Sequence, residues 1–241
     1  MKELLNQKKL LTSGVVANNR MNRSRGSAGS NSYQKDLSFD VIEFLQQRLV
    51  NNDSVNWLDI CCGEGRALIE TATFFANQAA GEKSINNLRI TGIDLAGTFR
   101  DYSADLNRLQ FLEMPIEEFK PSQEFDLITC VHGLHYLGDK LSVIQNAASW
   151  LKRDGLFMAN LEMKNLKLFE NKNSQRVFSA LLRKQGFEFN SKKHLLTLKG
   201  KRVFDLPFEY LGADDQAGPN YTGQPAIDSH YKINSLPELS V

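Results

Sequence analysis

Trp57-Leu58-Asp59-Ile60-Cys61-Cys62-Gly63-Glu64-Gly65-Arg66 is the stretch on which the reading of this chain turns. An apolar run ends on an acidic residue, breaks at two glycines and enters helix-forming residues from Ala67 to Ala80. That order predicts a strand, a tight turn and a helix start. Glycines let the turn adopt left-handed backbone and bring the N–H groups of the helix N-terminus to a ligand with no Cβ in the way.

A dinucleotide-binding turn needs a third glycine where helix packs on strand. Counted from Gly63 and Gly65, that position holds Leu68, so the match is poor. The spacing Asp59-x-Cys61-x-Gly63-x-Gly65 instead resembles the first motif of the class I S-adenosylmethionine-dependent methyltransferases, with Cys61 at the usual first glycine. The resemblance covers roughly Phe39–Leu211. It implies an α/β, Rossmann-like, doubly wound and mostly parallel sheet closed by a C-terminal antiparallel hairpin.

The pattern on either side agrees. A helix is expected over about Phe39–Val50, with Val41, Ile42, Leu45 and Leu49 on one face. Strands are expected at Val55–Ile60, Leu88–Ile93, Leu109–Glu113, Phe125–Val131 and Leu156–Leu161. Helices are expected at Arg66–Ala80, Asp139–Leu151 and Ser174–Gln185, with a short helical piece near Thr98–Leu106. Alternating strands and helices of these lengths imply βαβ units and a parallel sheet. His194–Lys199 and Arg202–Leu211 read as the closing hairpin, because Phe204, Leu206, Phe208 and Tyr210 alternate with Asp205, Pro207 and Glu209.

The two ends fall outside the resemblance, so the chain divides into 1–38, a core of 39–211, and 212–241. From Leu4 to Lys35 there is no acidic residue, while Lys8, Lys9, Arg20, Arg23, Arg25 and Lys35 are basic. That composition suits a basic lid over an anionic ligand, a tail or a transit peptide. Residues 212–231 are rich in Gly and Pro yet carry amides, acids, two tyrosines and a histidine. A loop that covers a substrate is the expectation.

Composition narrows the class. Hydrophobic content of 41% and charge of 24% are those of an ordinary globular protein. A net charge of +1 gives no general reason to expect nucleic acid or an anionic membrane as partner. Three cysteines in apolar contexts form neither a disulfide framework nor a metal spacing, which fits a reducing cytoplasm.

The resemblance also assigns roles. Asp59, Cys61, Gly63 and Gly65 would form the turn that holds S-adenosylmethionine. Asp94, followed by Leu95, would accept the ribose hydroxyls, as the acid after the second strand does for dinucleotides. Met114 would pack on adenine, and the Ile116 N–H would serve its ring, because Pro115 has none to give. Glu113 or Glu117 would take the exocyclic amine. The turn Cys130–Tyr136 resembles the family's fourth motif, placing His132 and Gly133 beside the sulfonium, with His132 or His135 as a base. No metal is expected, since no cluster of oxygen ligands follows the fourth strand. Asn19, Arg20, Arg23, Tyr33 and Tyr136 would form the acceptor pocket with Tyr221, Asp228, His230 and Tyr231. These residues imply methyl transfer to an oxygen or nitrogen of a small molecule. An RNA methyltransferase and a non-catalytic cofactor-binding protein remain alternatives.

Overall fold

The computed structural model describes residues 3–16, 23–52, 54–78 and 87–234. Six helices are described: α1 (Gln7–Leu11), α2 (Tyr33–Leu37), α3 (Val41–Asn51), α4 (Arg66–Gln78), α5 (Lys140–Trp150) and α6 (Ser174–Lys184). Side-chain caps start several of them. Asp40 accepts from the Glu43 N–H at 3.0 Å, and Asp139 from the Ser142 N–H at 3.1 Å.

The strands are β1 (Val55–Ile60), β2 (Leu88–Asp94), β3 (Leu109–Glu113), β4 (Phe125–Cys130), β5 (Leu151–Asn160), β6 (Leu166–Leu168), β7 (Glu188–Asn190), β8 (Leu195–Lys199), β9 (Phe208–Asp214) and β10 (Asp228–Ile233). Seven of them form one sheet in the order β3-β2-β1-β4-β5-β8-β7. The first five run parallel, with Trp57 level with Ile90 on one side and Leu127 on the other. β8 is antiparallel to both β5 and β7.

Alternate residues of β1 feed two cores. Leu58 and Ile60 pack with Leu141, Ile144 and Phe178 from α5 and α6. Trp57 packs with Leu45, Leu68 and Phe75 from α3 and α4. Every residue of β1 and β4 is buried, as expected for parallel strands covered on both faces. The order changes direction between β1 and β4, so the ligand crevice falls at the carboxyl ends of those strands.

The closing hairpin exists, but β7 and β8 make it, not the runs 194–199 and 202–211. After β8, Gly200 (φ +80°) turns the chain, and the Lys201 and Arg202 N–H groups donate to Lys152 and Ala148 carbonyls. Phe204 is apolar because its ring meets Phe187 at 6.0 Å from an extended segment outside any strand. β9 then joins a separate three-stranded sheet, ordered β6-β10-β9. Residues 212–231, expected as loop, therefore run from β9 into β10. Nor is there a helix near Thr98–Leu106. There Phe99 stacks on Phe111 at 4.7 Å, and the Arg100 N–H donates to the Glu64 carbonyl at 3.0 Å, which holds the segment against the glycine turn.

The two flanks meet. Leu5 and Ala213 exchange backbone hydrogen bonds of 2.8 and 2.9 Å, and Leu10 of α1 is buried with Ala213 and Ile227. Lys140, fully buried, ties this unit to the sheet. Its ammonium donates to the Leu137 carbonyl (2.7 Å), the Ile227 carbonyl and the Ser229 hydroxyl (both 2.9 Å). Lys140→Met would strip all three acceptors of their donor. A loss of about 3–5 kcal/mol is expected, read as a lower melting temperature. An unchanged melt would show that the lysine holds nothing.

Candidate active site

The turn after β1 is built from left-handed residues: Cys61 (φ +58°), Gly63 (φ +63°) and Gly65 (φ +74°). Cys61 takes a conformation that costs a non-glycine residue roughly 1–2 kcal/mol, which explains why glycine suits that place. The neighbouring Cys130 thiol and then desolvation push the thiol of this half-buried residue well above the usual range, so it stays neutral. The Gly63 N–H donates to Asp94 Oδ2 at 2.9 Å, while Asp94 Oδ1 accepts from the Ala96 N–H at 3.0 Å. The Arg23 guanidinium pairs with the same carboxylate.

Two chambers open on this edge of the sheet, of about 80 and 70 Å³, and both border Arg23, Cys61, Asp94 and Tyr136. The first is an apolar slot that adds Leu95, Met114 and Ile116, with Leu10 and Val16 from the N-terminal flank. At its rim the Gln7 amide donates to Glu117 at 2.9 Å. Burial raises the Glu117 carboxyl above its ordinary range. Glu113 instead lies against Gly97.

The second chamber adds Tyr33, Gly63, His132 and Gly133, together with Thr222 and Gln224 from the C-terminal flank. Gly133 has no room for a side chain: a Cβ would lie 2.8 Å from Cys130 Sγ and overlap Cys61. His132 starts this turn at φ +59°. Its Nε2 lies 3.1 Å from Asp36 Oδ2, and its Nδ1 lies 3.3 Å from the Tyr221 hydroxyl. Arg25 Nε donates to the same Asp36 oxygen at 2.8 Å. Burial pushes the Asp36 carboxyl up, but His132 and then Arg25 outweigh it and hold the group below the ordinary range. A carboxylate only accepts, so an imidazole N–H at Nε2 would face Asp36 and leave Nδ1 toward the Tyr221 hydroxyl. Burial, with the Asp36 and Glu162 carboxylates, keeps the Tyr221 phenol protonated, a donor to Nδ1. The Tyr221 ring lies flat on His194 at 3.9 Å.

Several expected residues lie elsewhere. Asp59 is fully buried beneath the turn, and its two oxygens accept from the Tyr33 and Thr129 hydroxyls at 2.5 Å each. Gly65 faces the Phe111 ring. His135 is buried beside His132 and Tyr221, and neither of its nitrogens has a hydrogen-bond partner among the described residues. Burial, with His132 and Lys140 nearby, holds it well below the ordinary imidazole range, so the ring is neutral.

Strand pairing draws three more away from the crevice. In β10, Asp228 accepts from Asn165 at 2.6 Å, His230 sits level with Gly212, and the Tyr231 hydroxyl meets the Leu141 N–H at 3.1 Å in the core. Asn19 and Arg20 lie outside the described residues. Asp36 and Gln7 were missed, because nothing local in a basic, serine-rich stretch distinguishes them. Only the fold brings Asp36 to His132.

Asp59 carries a pH signature. Burial raises its carboxyl to about 7 against the hydrogen bonds from Thr129 and Tyr33. Between about pH 4 and pH 7 the folded chain therefore keeps a proton that the unfolded chain releases, and this group's contribution to stability falls as pH rises. Asp59→Asn is expected to flatten that part of the melting-temperature profile. An identical slope in both proteins would contradict the assignment.

A family model described as a methyltransferase domain matches residues 31–194, more than half of the chain. The chain belongs to the class I S-adenosylmethionine-dependent methyltransferases. It is 25% identical over 139 residues to a ubiquinone biosynthesis O-methyltransferase of Actinobacillus pleuropneumoniae serotype 7 (strain AP76), matching 53% of this chain and 54% of that protein. The chain thus spans about half the length of the curated relative it matches. Among solved structures it is similar to the plantazolicin methyltransferase BpumL in complex with a monoazolic desmethylPZN analogue and S-adenosylhomocysteine. That likeness has 14% identity and a TM-score of 0.45, over 70% of this chain and 86% of that one. It is also similar to the N-methyltransferase NodS of Bradyrhizobium japonicum WM9, with 16% identity and a TM-score of 0.39, over 66% and 93%.

The crevice offers groups that could serve that family's cofactor. Asp94 can receive a diol, the Gly63 turn leaves backbone close at hand, and the apolar slot ending at Glu117 and Gln7 suits a flat base with an amine. Among the described residues, no helix is long and apolar enough to cross a membrane.

Proposed function

We propose that this methyltransferase moves the methyl group of S-adenosylmethionine to an oxygen or nitrogen of a small molecule, with His132 as the base. The observation that carries the reading is the chain Arg25–Asp36–His132–Tyr221 at the edge of the crevice. The cofactor supplies an electrophilic methyl on a sulfonium that leaves as a neutral thioether. Asp94, Met114 and Ile116 hold its adenosine end. The acceptor's O–H or N–H takes the place of the Tyr221 hydroxyl at His132 Nδ1. As the acceptor atom bonds to the methyl, its proton passes to Nδ1, and Asp36 stabilises the imidazolium. Tyr136, Thr222 and Gln224 shape the acceptor side. O-methyl transfer is also the activity in the curated relative's name.

Labelled S-adenosylmethionine offered with separate metabolite and RNA pools tests this. Label in a small molecule supports it. Label in RNA alone, or none at all, overturns it in favour of an RNA enzyme or a binding protein. Asp94→Ala is expected to weaken S-adenosylhomocysteine by about 1.5–3 kcal/mol in calorimetry, the value of a charge-assisted acceptor. Unchanged affinity in the folded variant would refute the ribose assignment.

A further inference from the structure

We propose that the Arg23 side chain is a plug on the cofactor site, holding the Asp94 carboxylate until the cofactor's ribose displaces it. The proposal rests on the reading of Asp94 as the ribose acceptor. Arg23 Nη2 is paired with Asp94 Oδ1, and the two side chains are only 12% and 10% exposed. Arg23 lines both chambers, as Asp94 does. Its hold is incomplete. Arginine favours a two-pronged grip on a carboxylate, yet here Nη2 meets Oδ1 while the buried Nε has no hydrogen-bond partner among the described residues.

The backbone around it stays docked. The Arg23 carbonyl accepts from the Glu64 N–H at 3.0 Å, and a Cβ on Gly63 would sit 2.5 Å from that oxygen. Ser24 Oγ accepts from Arg100 at 2.6 Å, and Ser27 donates to Glu70 through its N–H (2.7 Å) and its hydroxyl (3.0 Å). Release therefore needs the side chain alone to swing. A vicinal diol brings two O–H donors to the same carboxylate and replaces those of the guanidinium. The Gly63 and Ala96 N–H groups hold the carboxylate in place through the exchange. Apparent affinity is then reduced by the fraction of molecules in which Arg23 is in place.

Arg23 has a rival role, holding the cofactor's own carboxylate, and the two predict opposite signs. Calorimetry with S-adenosylhomocysteine and with 5′-methylthioadenosine, which keeps the ribose but lacks the amino-acid end, separates them. If Arg23 is a plug, Arg23→Met tightens both ligands about three- to tenfold, and Arg23→Lys tightens them less. Weaker S-adenosylhomocysteine with unchanged 5′-methylthioadenosine makes Arg23 a carboxylate ligand and overturns the proposal. Unchanged affinity for both ligands also overturns it. If the wild-type chain binds neither ligand, the ribose reading of Asp94 fails and the plug with it. A matching melting temperature shows that the variant is folded. Arg23→Gln replaces the methionine variant if that one melts early.

Discussion

His132→Asn is expected to lower methyl transfer by about 10²- to 10⁴-fold at the optimum pH, with S-adenosylhomocysteine affinity retained. Asparagine is chosen because residue 132 sits at φ +59°, a conformation that asparagine adopts more readily than most residues. Asp36→Asn should cost less, because it removes only the carboxylate 3.1 Å from Nε2 that would stabilise the imidazolium formed in the step. The assay uses whichever acceptor the labelled-methyl screen identifies. Near-native turnover in His132→Asn would reduce the histidine to packing and leave orientation of the two substrates as the source of rate.

Gly65→Ala is expected to destabilise the fold by roughly 2–5 kcal/mol. Two costs combine. The backbone stands at φ +74°, where an L side chain is strained, and the new Cβ would overlap the Phe111 ring. Phe111 cannot retreat easily, since Phe99 stacks on one side at 4.7 Å and Tyr102 meets its edge at 5.5 Å. The melting temperature should fall, and cofactor binding should fail as the turn opens. Phe111→Leu separates the two costs: if the overlap matters, Gly65→Ala should cost less in that background. An equal cost in both backgrounds would leave backbone strain as the sole cause.

Gly65 also shows how a correct sequence pattern can rest on a different contact. Its spacing marks a ligand turn, yet in the structure its missing Cβ makes room for Phe111. Asp59 is similar. The motif places it at the cofactor, but the fold gives both of its oxygens to Tyr33 and Thr129. In each case the sequence shows that a side chain, or none, is required without showing what it touches.

Most of the order of strands and helices over Phe39–Gly186, though neither the absence of a helix near Thr98–Leu106 nor the presence of β6, was legible in the sequence, as were the glycine turn and the acid after β2, because each depends on local chemistry. Periodicity of 2 or 3.6 sets the element, glycine sets the turn, and the carboxyl ends of parallel strands set the crevice. What the sequence could not show depends on contacts between residues far apart along the chain. Alternation in 204–210 reads the same whether the run pairs with β8 or with β10; in the fold 204–207 lies outside any strand and only 208–210 pairs, with β10. Asp36 looks like a solvated acid in a basic stretch until α2 lies beside the His132 turn. Arg23 reads as an acceptor-pocket residue, yet the fold pairs it with the Asp94 carboxylate beside the glycine turn. The sequence by itself determined the family and the cofactor turn. The tertiary structure alone decided the partners of His132 and Arg23, because a hydrogen bond between residues 71 or 89 positions apart leaves no local pattern to read.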